Sequence, residues 1–177
     1  MKDKNTLRKE IRAEKKSRTA GELHQQSVNI LQQLSVHPQF VKAKTVMLYA
    51  SLPDEVETLE FIEQWRTNKN IILPVVEGDD IIPTALEKNI EMKNGEFNIL
   101  EPQNQAYKGS FDLIVVPGMA FDRQGHRLGR GKGFYDRFLS NYSNVYKIGL
   151  CFDFQLVEDV PNENHDQVMN EILSYKI

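Results

Sequence analysis

The sequence predicts an α/β fold: a single domain of three layers, in which helices cover both faces of a mostly parallel sheet. Apolar runs such as Asp112–Val116 and Tyr146–Phe152 show no alternation of apolar and polar residues, which is typical of strands buried on both faces. Stretches with helical periodicity separate these runs, as in folds that connect parallel strands through helices. The length of 177 residues is that of one domain.

Three helices are predicted in the first half of the chain, where apolar residues recur at every third or fourth position. Leu59, Ile62 and Trp65 have this spacing in the third of them. The second should end at His37-Pro38, because proline rarely continues a helix. The predicted helices span residues 4–19, 22–36 and 58–68, and a fourth spans 133–140 after a run of glycines.

Six strands are predicted from short runs rich in apolar and β-branched residues. Pro74 interrupts one of them. Since proline cannot donate to a sheet ladder, an edge position or a bulge is expected there. The predicted strands are residues 45–50, 70–76, 81–86, 112–116, 146–152 and 172–177.

The loops that follow these strands are where a functional site is expected, because ligands of such folds bind beyond the carboxyl ends of the strands. Loops 51–58, 117–133 and 153–166 each follow a predicted strand. They should therefore gather at one edge of the sheet.

Composition excludes several classes of protein. Cys151 is the only cysteine, so an intrachain disulfide and a cysteine-based zinc site are ruled out. No run approaches the ~18–20 apolar residues of a membrane-spanning helix, and the N-terminus lacks the apolar core of a signal peptide. We therefore expect a cytoplasmic protein that makes no contact with a membrane.

Charge is unevenly distributed along the chain. The first 20 residues hold eight basic and three acidic side chains, a net charge of +5, whereas the rest carries −8, for a total of −3. This asymmetry suggests an anion near the N-terminal segment. A phosphate, a nucleic acid and an acidic membrane are the candidates, and the alternative is a solvated charged helix.

The stretch 117–139 (PGMAFDRQGHRLGRGKGFYDRFL) holds the strongest functional signal. Gly129, Gly131 and Gly133 let backbone amides approach a ligand closely, and the N-terminus of the helix that follows favours anions. Arg130 and Lys132 add charges suited to phosphate oxygens, so a polyphosphate is the natural ligand. The spacing fits neither a P-loop nor the G-x-G-x-x-G pattern, and a flexible turn with solvated cations is the alternative.

Acidic residues near this stretch are candidates for metal and substrate contacts. Asp136 could hold Mg²⁺ against bound phosphates, or simply stabilise the helix N-terminus. Glu55 follows a predicted strand and could accept hydrogen bonds from a polar heterocycle, although acids and threonines before a helix, such as Thr58, are usually caps. The pair His165-Asp166 is either catalytic or metal-binding, or a solvated part of a loop.

The glycine-rich stretch resembles the signature of the 5-formyltetrahydrofolate cyclo-ligase family without a gap over its 23 residues. Three further blocks resemble the family in the expected order: KNTLR (Lys4–Arg8), LPDEVET (Leu52–Thr58) and GEFNILEP (Gly95–Pro102). Asn98 stands where the family pattern has Gly, and Met169-Asn170 stand where it has Val-Asp. The resemblance covers essentially the whole chain.

This resemblance implies one α/β domain over residues 1–177, with a mixed, mostly parallel sheet. It also implies conversion of 5-formyltetrahydrofolate into 5,10-methenyltetrahydrofolate with ATP and Mg²⁺, releasing ADP and phosphate. Phosphoryl transfer makes the formyl oxygen a leaving group, and N10 then closes the ring. Such a transfer needs positioning and charge neutralisation rather than a protein nucleophile. Neither nucleic acid nor an obligate protein partner is implied, and a monomer is expected.

The resemblance further implies roles for individual residues. Arg130 and Lys132 should neutralise charge in the transition state, and Tyr135 should stand near the formyl group. Asp136 should bind Mg²⁺, with Asp166 as a second contact. The implied ATP contacts are Lys4, Asn5, Thr6, Leu7, Arg8, Arg127, Leu128, Gly129, Arg130, Gly131, Lys132, Gly133, Phe134 and Tyr135. The implied folate contacts are Ala50, Glu55, Arg130, Gly131, Lys132, Gly133 and Phe134, with Glu55 accepting from the pterin N–H groups.

Two other functions compete with this one. A nucleic-acid-binding module would use the N-terminal segment and the GRGKG loop, but the acidic remainder of the chain opposes it. Another nucleotide-dependent α/β enzyme, acting for example on a sugar phosphate, would share the glycine-rich loop. Glu55 and the order of the blocks favour the cyclo-ligase family over it.

Overall fold

The computed structural model describes residues 3–95 and 98–175, which form helices on both sides of a six-stranded sheet. The helices are α1 (Lys4–Ser17), α2 (Ala20–Ser35), α3 (Pro38–Lys42), α4 (Leu59–Trp65) and α5 (Phe134–Ser140). The strands are β1 (Thr45–Met47), β2 (Asn70–Glu77), β3 (Asp80–Ala85), β4 (Met92–Asn94), β5 (Leu100–Pro102), β6 (Leu113–Pro117), β7 (Ala120–Phe121), β8 (Arg127–Leu128), β9 (Tyr146–Cys151) and β10 (Glu171–Ser174).

The main sheet has the order β10-β9-β6-β1-β2-β3. Its first five strands run parallel, and β3 returns antiparallel to β2. Two small antiparallel pairs, β4 with β5 and β7 with β8, lie outside it. The predicted mixed, mostly parallel sheet of an α/β fold is confirmed.

Both faces of the sheet are covered. On one face, α2, α3 and α4 bring Ile30, Phe40 and Ile62 against alternate residues of the central strands. On the other, Phe138 and Leu139 of α5 pack on the remaining residues. Because side chains of a strand point alternately to the two faces, burial on both explains why the strands read as uninterrupted apolar runs.

Helix α1 packs apart from these layers. Its Leu7 and Ile11 contact Ala120 and Leu128 of the β7–β8 pair, and Val160 of a later loop. This packing brings the start of α1 beside the glycine-rich stretch. No helix in residues 3–95 and 98–175 is long and apolar enough to cross a membrane.

The predicted boundary between the first two helices was wrong. Arg18 and Thr19 have extended backbones. Thr19 forms a reciprocal capping box with Glu22, which starts α2 at Ala20. A capping box satisfies the otherwise unpaired amides of a helix start, and it was present in the sequence as T-x-x-E.

At Pro74 the predicted bulge was wrong, but the proline itself does lie at a local edge, with a paired strand on one side only. Strand β2 lies inside the sheet, and its register with β3 is unbroken from Ile72 to Glu77. Pro74 is paired with Pro83, and its other neighbour, β1, has already ended at Met47. Proline is tolerated because no partner strand remains to receive its missing N–H.

The predicted last strand, 172–177, is present as β10, although Lys176 and Ile177 lie outside the described residues. Part of the GEFNILEP block, residues 96–97, also lies outside them. Asn98 of that block has φ +57°. Asparagine and glycine are the residues that adopt this left-handed conformation most readily, so Asn98 fits a position where the family pattern has glycine.

Candidate active site

A cavity of about 490 Å³ opens at the carboxyl edge of the parallel strands. Four parts of the chain meet there: the start of α1, the loop after β1, the glycine-rich stretch and the loop before β10. Loops 51–58, 117–133 and 153–166, or the residues directly beside them, all contribute to its wall. The lining includes Lys4, Arg8, Tyr49, Ala50, Leu52, Glu55, Pro117, Gly118, Arg127–Asp136, His165 and Asp166, and apolar residues Pro74, Val76, Ile81 and Ile99.

The acidic loop after β1 is held in one conformation by its own hydrogen bonds. Ser51 N donates to Thr58 Oγ1 over 3.1 Å, and Thr58 N donates to Ser51 Oγ over 3.0 Å. The Thr58 hydroxyl also donates to the carbonyl of Tyr49, so Thr58 ties the loop together and does not cap α4 with its side chain. These bonds fix the place of Glu55.

Glu55 faces the cavity with a carboxylate that is already oriented. Its Oε2 accepts from Leu52 N over 2.9 Å, and only 12% of the side chain is exposed. Its Oε1 lies 3.1 Å from Arg130 Nη2. Each carboxylate oxygen can accept about two hydrogen bonds, so Glu55 retains capacity for donors of a ligand.

Glycine is required at two places in the loop that follows β8. Gly131 and Gly133 have φ +108° and +70°, a range that side chains with a Cβ rarely adopt. Gly133 occupies the N-cap position of α5. The loop thus turns its backbone toward the cavity directly before a helix N-terminus, where anions are stabilised.

The start of α1 reaches this loop and the wall opposite it. Arg8 Nε donates to the carbonyl of Gly129 over 2.9 Å. Lys4 Nζ lies 2.6 Å from Asp166 Oδ2 and 3.1 Å from Glu163 Oε1. Burial opposes the charge of Lys4, but the two ion pairs outweigh it and raise the pKa of the ammonium group.

The other N-terminal residues of the KNTLR block do not line the cavity. Thr6 bonds to the capping Asp3, and Asn5 Oδ1 accepts from Arg8 Nη1 over 2.7 Å. Leu7 is buried in the contact between α1 and the β7–β8 pair. Of the five residues, Lys4 and Arg8 are the ones at the cavity.

Asp136 is held from two sides at the first turn of α5. Its Oδ2 accepts from Arg127 Nη2 over 3.0 Å, and its Oδ1 accepts from Gln167 N over 3.2 Å. Arg127, whose side chain is only 4% exposed, also donates to the carbonyl of Pro117 and stacks over the Tyr135 ring. Arg127 therefore orients the Asp136 carboxylate and also lines the cavity.

Asp136 and Asp166 are the predicted metal ligands at the cavity. Within residues 3–95 and 98–175, no group of three or more His, Cys, Asp or Glu side chains has the geometry of a metal site. Asp136 and Asp166 nevertheless both line the cavity, and the bond from Gln167 N to Asp136 brings the two loops together. Mg²⁺ typically takes one or two carboxylates beside phosphates and waters, and these residues fit that donor set.

Comparison with known proteins decides the family. A sequence profile of the 5-formyltetrahydrofolate cyclo-ligase family matches residues 1–175. A 5-formyltetrahydrofolate cyclo-ligase of Haemophilus influenzae is 34% identical over 177 residues, covering 94% of this chain and 95% of that protein. One of Mus musculus is 30% identical over 190 residues, covering 96% and 94%. The chain belongs to the 5-formyltetrahydrofolate cyclo-ligase family.

The fold agrees with this assignment. The structure of the Aquifex aeolicus 5,10-methenyltetrahydrofolate synthetase superimposes with a TM-score of 0.83 at 32% identity, covering 97% of this chain and 89% of that one. The chain is therefore an ATP-dependent ligase that cyclises 5-formyltetrahydrofolate to 5,10-methenyltetrahydrofolate. In this cyclo-ligase, the cationic glycine-rich loop and the oriented carboxylate of Glu55 line the same cavity.

Two tyrosines at the cavity have raised pKa values. Burial, and secondarily the charge of Glu55, raise the pKa of both Tyr49 and Tyr135, so both phenols stay neutral hydrogen-bonding groups at physiological pH. Sequence reasoning identified Tyr135 but missed Tyr49, which lies at the end of the first predicted strand and looks like a core residue. Pro74, Val76 and Ile81 lie on predicted strands and were missed for the same reason, whereas Ile99 was missed although it lies in the GEFNILEP block.

Proposed function

We propose that this cavity of the cyclo-ligase binds both substrates, with the ATP phosphates on the glycine-rich loop and the pterin beside Glu55. One observation carries the proposal: Arg130 Nη2 lies 2.6 Å from Asp54 Oδ1 and 3.1 Å from Glu55 Oε1, so the loop proposed for ATP and the loop proposed for the folate are in contact. Ala50, Gly131, Gly133 and Phe134 complete the proposed folate contacts.

The nucleotide phosphates are proposed to lie between the start of α1 and the loop 127–135. Lys4 and Arg8 supply charge from α1, and Arg130 and Lys132 supply it from the loop. Gly129, Gly131 and Gly133 contribute backbone amides, as in other phosphate-binding loops. Leu128 also lines the cavity and remains a predicted ATP contact, whereas Asn5, Thr6 and Leu7, which were predicted as well, do not line it.

The reaction is proposed to pass through phosphorylation of the substrate. The formyl oxygen takes the γ-phosphoryl group as the bond to ADP breaks, and the N5 iminium phosphate that results is attacked by N10. The N10 proton and inorganic phosphate then leave as the methenyl ring closes. Arg130 and Lys132 would stabilise the charge on the transferred group, which is the main task in phosphoryl transfer.

Tyr135 and Glu55 are proposed to orient the folate. Glu55 accepts from pterin N–H groups through its remaining lone pairs. Tyr135 stays protonated because burial raises its pKa, and its hydroxyl can then donate to the formyl oxygen. Both residues align the formyl group with the phosphate and require no covalent intermediate with the protein.

Asp136 is proposed to hold Mg²⁺, with Asp166 as a second contact. When bound, Mg²⁺ would neutralise charge on the phosphate oxygens. Arg127 orients the Asp136 carboxylate, whereas Asp166 is already paired with Lys4.

We further expect the enzyme to act as a monomer in the cytoplasm.

The test is an assay of purified protein with ATP and 5-formyltetrahydrofolate, followed by the absorbance of the methenyl product. Omission of Mg²⁺ should abolish turnover, and single substitutions of Glu55 and Lys132 should separate the two halves of the cavity. Glu55→Gln should raise KM for the folate and leave KM for ATP nearly unchanged. Equal changes in both constants would contradict the placement of Glu55 at the folate.

A further inference from the structure

Lys15 is a buried lysine that the reaction scheme above does not use. It lies in the last turn of α1, and only 7% of its side chain is exposed. Its Nζ donates to the carbonyl of Asp54 over 2.6 Å and lies 3.1 Å from Asp54 Oδ2. Neither Lys15 nor Asp54 is among the described residues that line the cavity.

Lys15 is one end of a chain of alternating charges. Asp54 divides its carboxylate between two cations, with Oδ2 toward Lys15 and Oδ1 2.6 Å from Arg130 Nη2. Arg130 Nη2 in turn contacts Glu55. The order is therefore Lys15, Asp54, Arg130, Glu55, and the last two members face the cavity.

We propose that Lys15 is a positioning residue for the cyclo-ligase reaction: it holds Asp54, and Asp54 sets the place of Arg130 against Glu55. The inference rests on the functions proposed above for Arg130 and Glu55. It adds a residue that touches neither substrate and acts only through another side chain.

The geometry favours positioning over simple anchoring. A lysine that only tied α1 to the loop would need the Asp54 carbonyl alone, but Lys15 also engages the Asp54 carboxylate. Arg130 is long and 42% exposed, and exposed ion pairs order such a side chain weakly. Lys15 is fixed by burial, so it keeps Asp54 turned with Oδ1 toward Arg130.

The electrostatics agree with the geometry. Burial lowers the pKa of Lys15, and the charge of Asp54 opposes this effect. Burial likewise disfavours the charge of Asp54, but Arg130 and then Lys15 outweigh it and lower the pKa of the carboxyl group. Lys15 and Asp54 therefore each favour the charged form of the other, in agreement with the contact between them.

The experiment is a double-substitution cycle with Lys15→Met and Asp54→Asn. In the wild-type background, Lys15→Met should lower kcat/KM about tenfold, as expected for charged groups in direct contact. In the Asp54→Asn background the same substitution should change kcat/KM by less than about twofold, because the side chain through which Lys15 acts no longer has its charge. Lys16→Met, at an exposed neighbour on the same helix, is the matched control and should have no effect in either background.

Equal losses in both backgrounds would overturn the inference, as would a loss of unfolding free energy with kcat/KM unchanged. If Lys15→Met fails to fold, Lys15→Gln serves in its place, since an amide can still donate to the Asp54 carbonyl but carries no charge. Arg130→Gln distinguishes the two proposals. If Arg130→Gln is impaired but the cycle shows no coupling, only the Lys15 inference fails; if Arg130→Gln is fully active, both fail.

Discussion

Arg8 and Gly129 join the N-terminal helix to the phosphate loop: Arg8 Nε donates to the carbonyl of Gly129 over 2.9 Å. The bond links residues that lie 121 positions apart in the sequence. It also leaves the guanidinium beside Gly131, at the wall of the cavity. Of the basic residues in the N-terminal segment that the structure describes, Lys4 and Arg8 are the ones that line the cavity.

Arg8→Gln should raise KM for ATP more than KM for the folate. A hydrogen bond to a charged group contributes about 1.5–3 kcal/mol, so an increase of about tenfold or more is expected when such a bond to phosphate is lost. Steady-state kinetics with each substrate varied in turn measure the two constants. Arg12→Gln is the control, because Arg12 is exposed one turn further along α1. A similar effect of both substitutions would indicate a general charge effect.

Lys132→Ala should lower kcat by about 10²–10³-fold, as does the loss of one donor that stabilises transition-state charge. The residue lies between Gly131 and Gly133, which have positive φ values. All three residues line the cavity. Single-turnover measurements would separate chemistry from binding. Lys108→Ala, at an exposed lysine outside the lining, should leave kcat unchanged. Unchanged turnover of the Lys132 variant would remove that residue from the mechanism.

Asp136→Asn should raise the Mg²⁺ concentration needed for half-maximal turnover, because an amide oxygen carries no charge for the cation. The amide oxygen can still accept from Arg127, so the fold should be kept. Asp136→Ala should in addition lower the free energy of unfolding by about 1–3 kcal/mol, because it leaves the buried Arg127 guanidinium without its carboxylate. Urea unfolding and Mg²⁺ titration of both variants check the two effects. An unaltered Mg²⁺ requirement in both would place the metal elsewhere.

The parts of the site that could be predicted from the sequence are those whose residues have a distinctive chemistry and also follow a predicted strand. The glycine-rich stretch and Glu55 follow strands of a parallel sheet, so the edge at which they meet is fixed by topology. Tyr49, Val76 and Ile81 could not be found in this way. They lie on strands or at their ends, and an apolar residue on a strand reads the same whether it faces the core or a cavity.

Contacts between residues that lie far apart in the chain could not be predicted, for a different reason. The bond from Lys15 to Asp54 depends on how α1 packs on the β7–β8 pair, and neither small strand was predicted. The same holds for the bond from Gln167 N to Asp136, which joins residues 31 positions apart. Local signals, by contrast, were present and underused: Thr19 and Glu22 have capping-box spacing, and they set the start of α2.

Gly125→Ala should destabilise the fold strongly. Gly125 has φ +89°, and a Cβ there would collide with the backbone carbonyl oxygen of Met169. The two residues are held close together because Met169 N donates to the carbonyl of Gly125 over 2.8 Å. The left-handed conformation alone costs alanine about 1–2 kcal/mol, and the collision adds to it. Urea unfolding measures the loss.

Gly21→Ala is the control for this substitution. Gly21 lies in the first turn of α2, and an alanine methyl group there would meet no atom within 4 Å beyond its chain neighbours and the helix backbone. Alanine should therefore stabilise the helix by about 0.5–1 kcal/mol. If both variants were equally stable, the close approach of the loop to Met169 would be wrong.

Asp112 should make the stability of the enzyme depend on pH in the acid range. Its Oδ2 accepts from Lys44 N over 2.8 Å and from Thr45 N over 2.9 Å, and these two backbone bonds hold the start of β1 beside β6. The bonds, that from Thr45 first, lower the pKa of the carboxyl group below its ordinary value of 3.8. The unfolded chain therefore binds the proton more tightly, and the contribution of Asp112 is present above pH 3.8 and is lost as the pH falls through the lower folded value.

Asp112→Asn isolates this contribution, because the amide oxygen still accepts hydrogen bonds but has no charge to lose. At neutral pH the variant should be less stable by about 0.5–1 kcal/mol, given that the site is exposed and screened by solvent. The difference from the wild type should shrink as the pH falls below 3.8, since the protonated carboxyl then resembles the amide. Urea unfolding at a series of pH values measures it, with the exposed Asp159→Asn as control. A difference that stayed constant down to low pH would show that the charge of Asp112 does not stabilise the sheet.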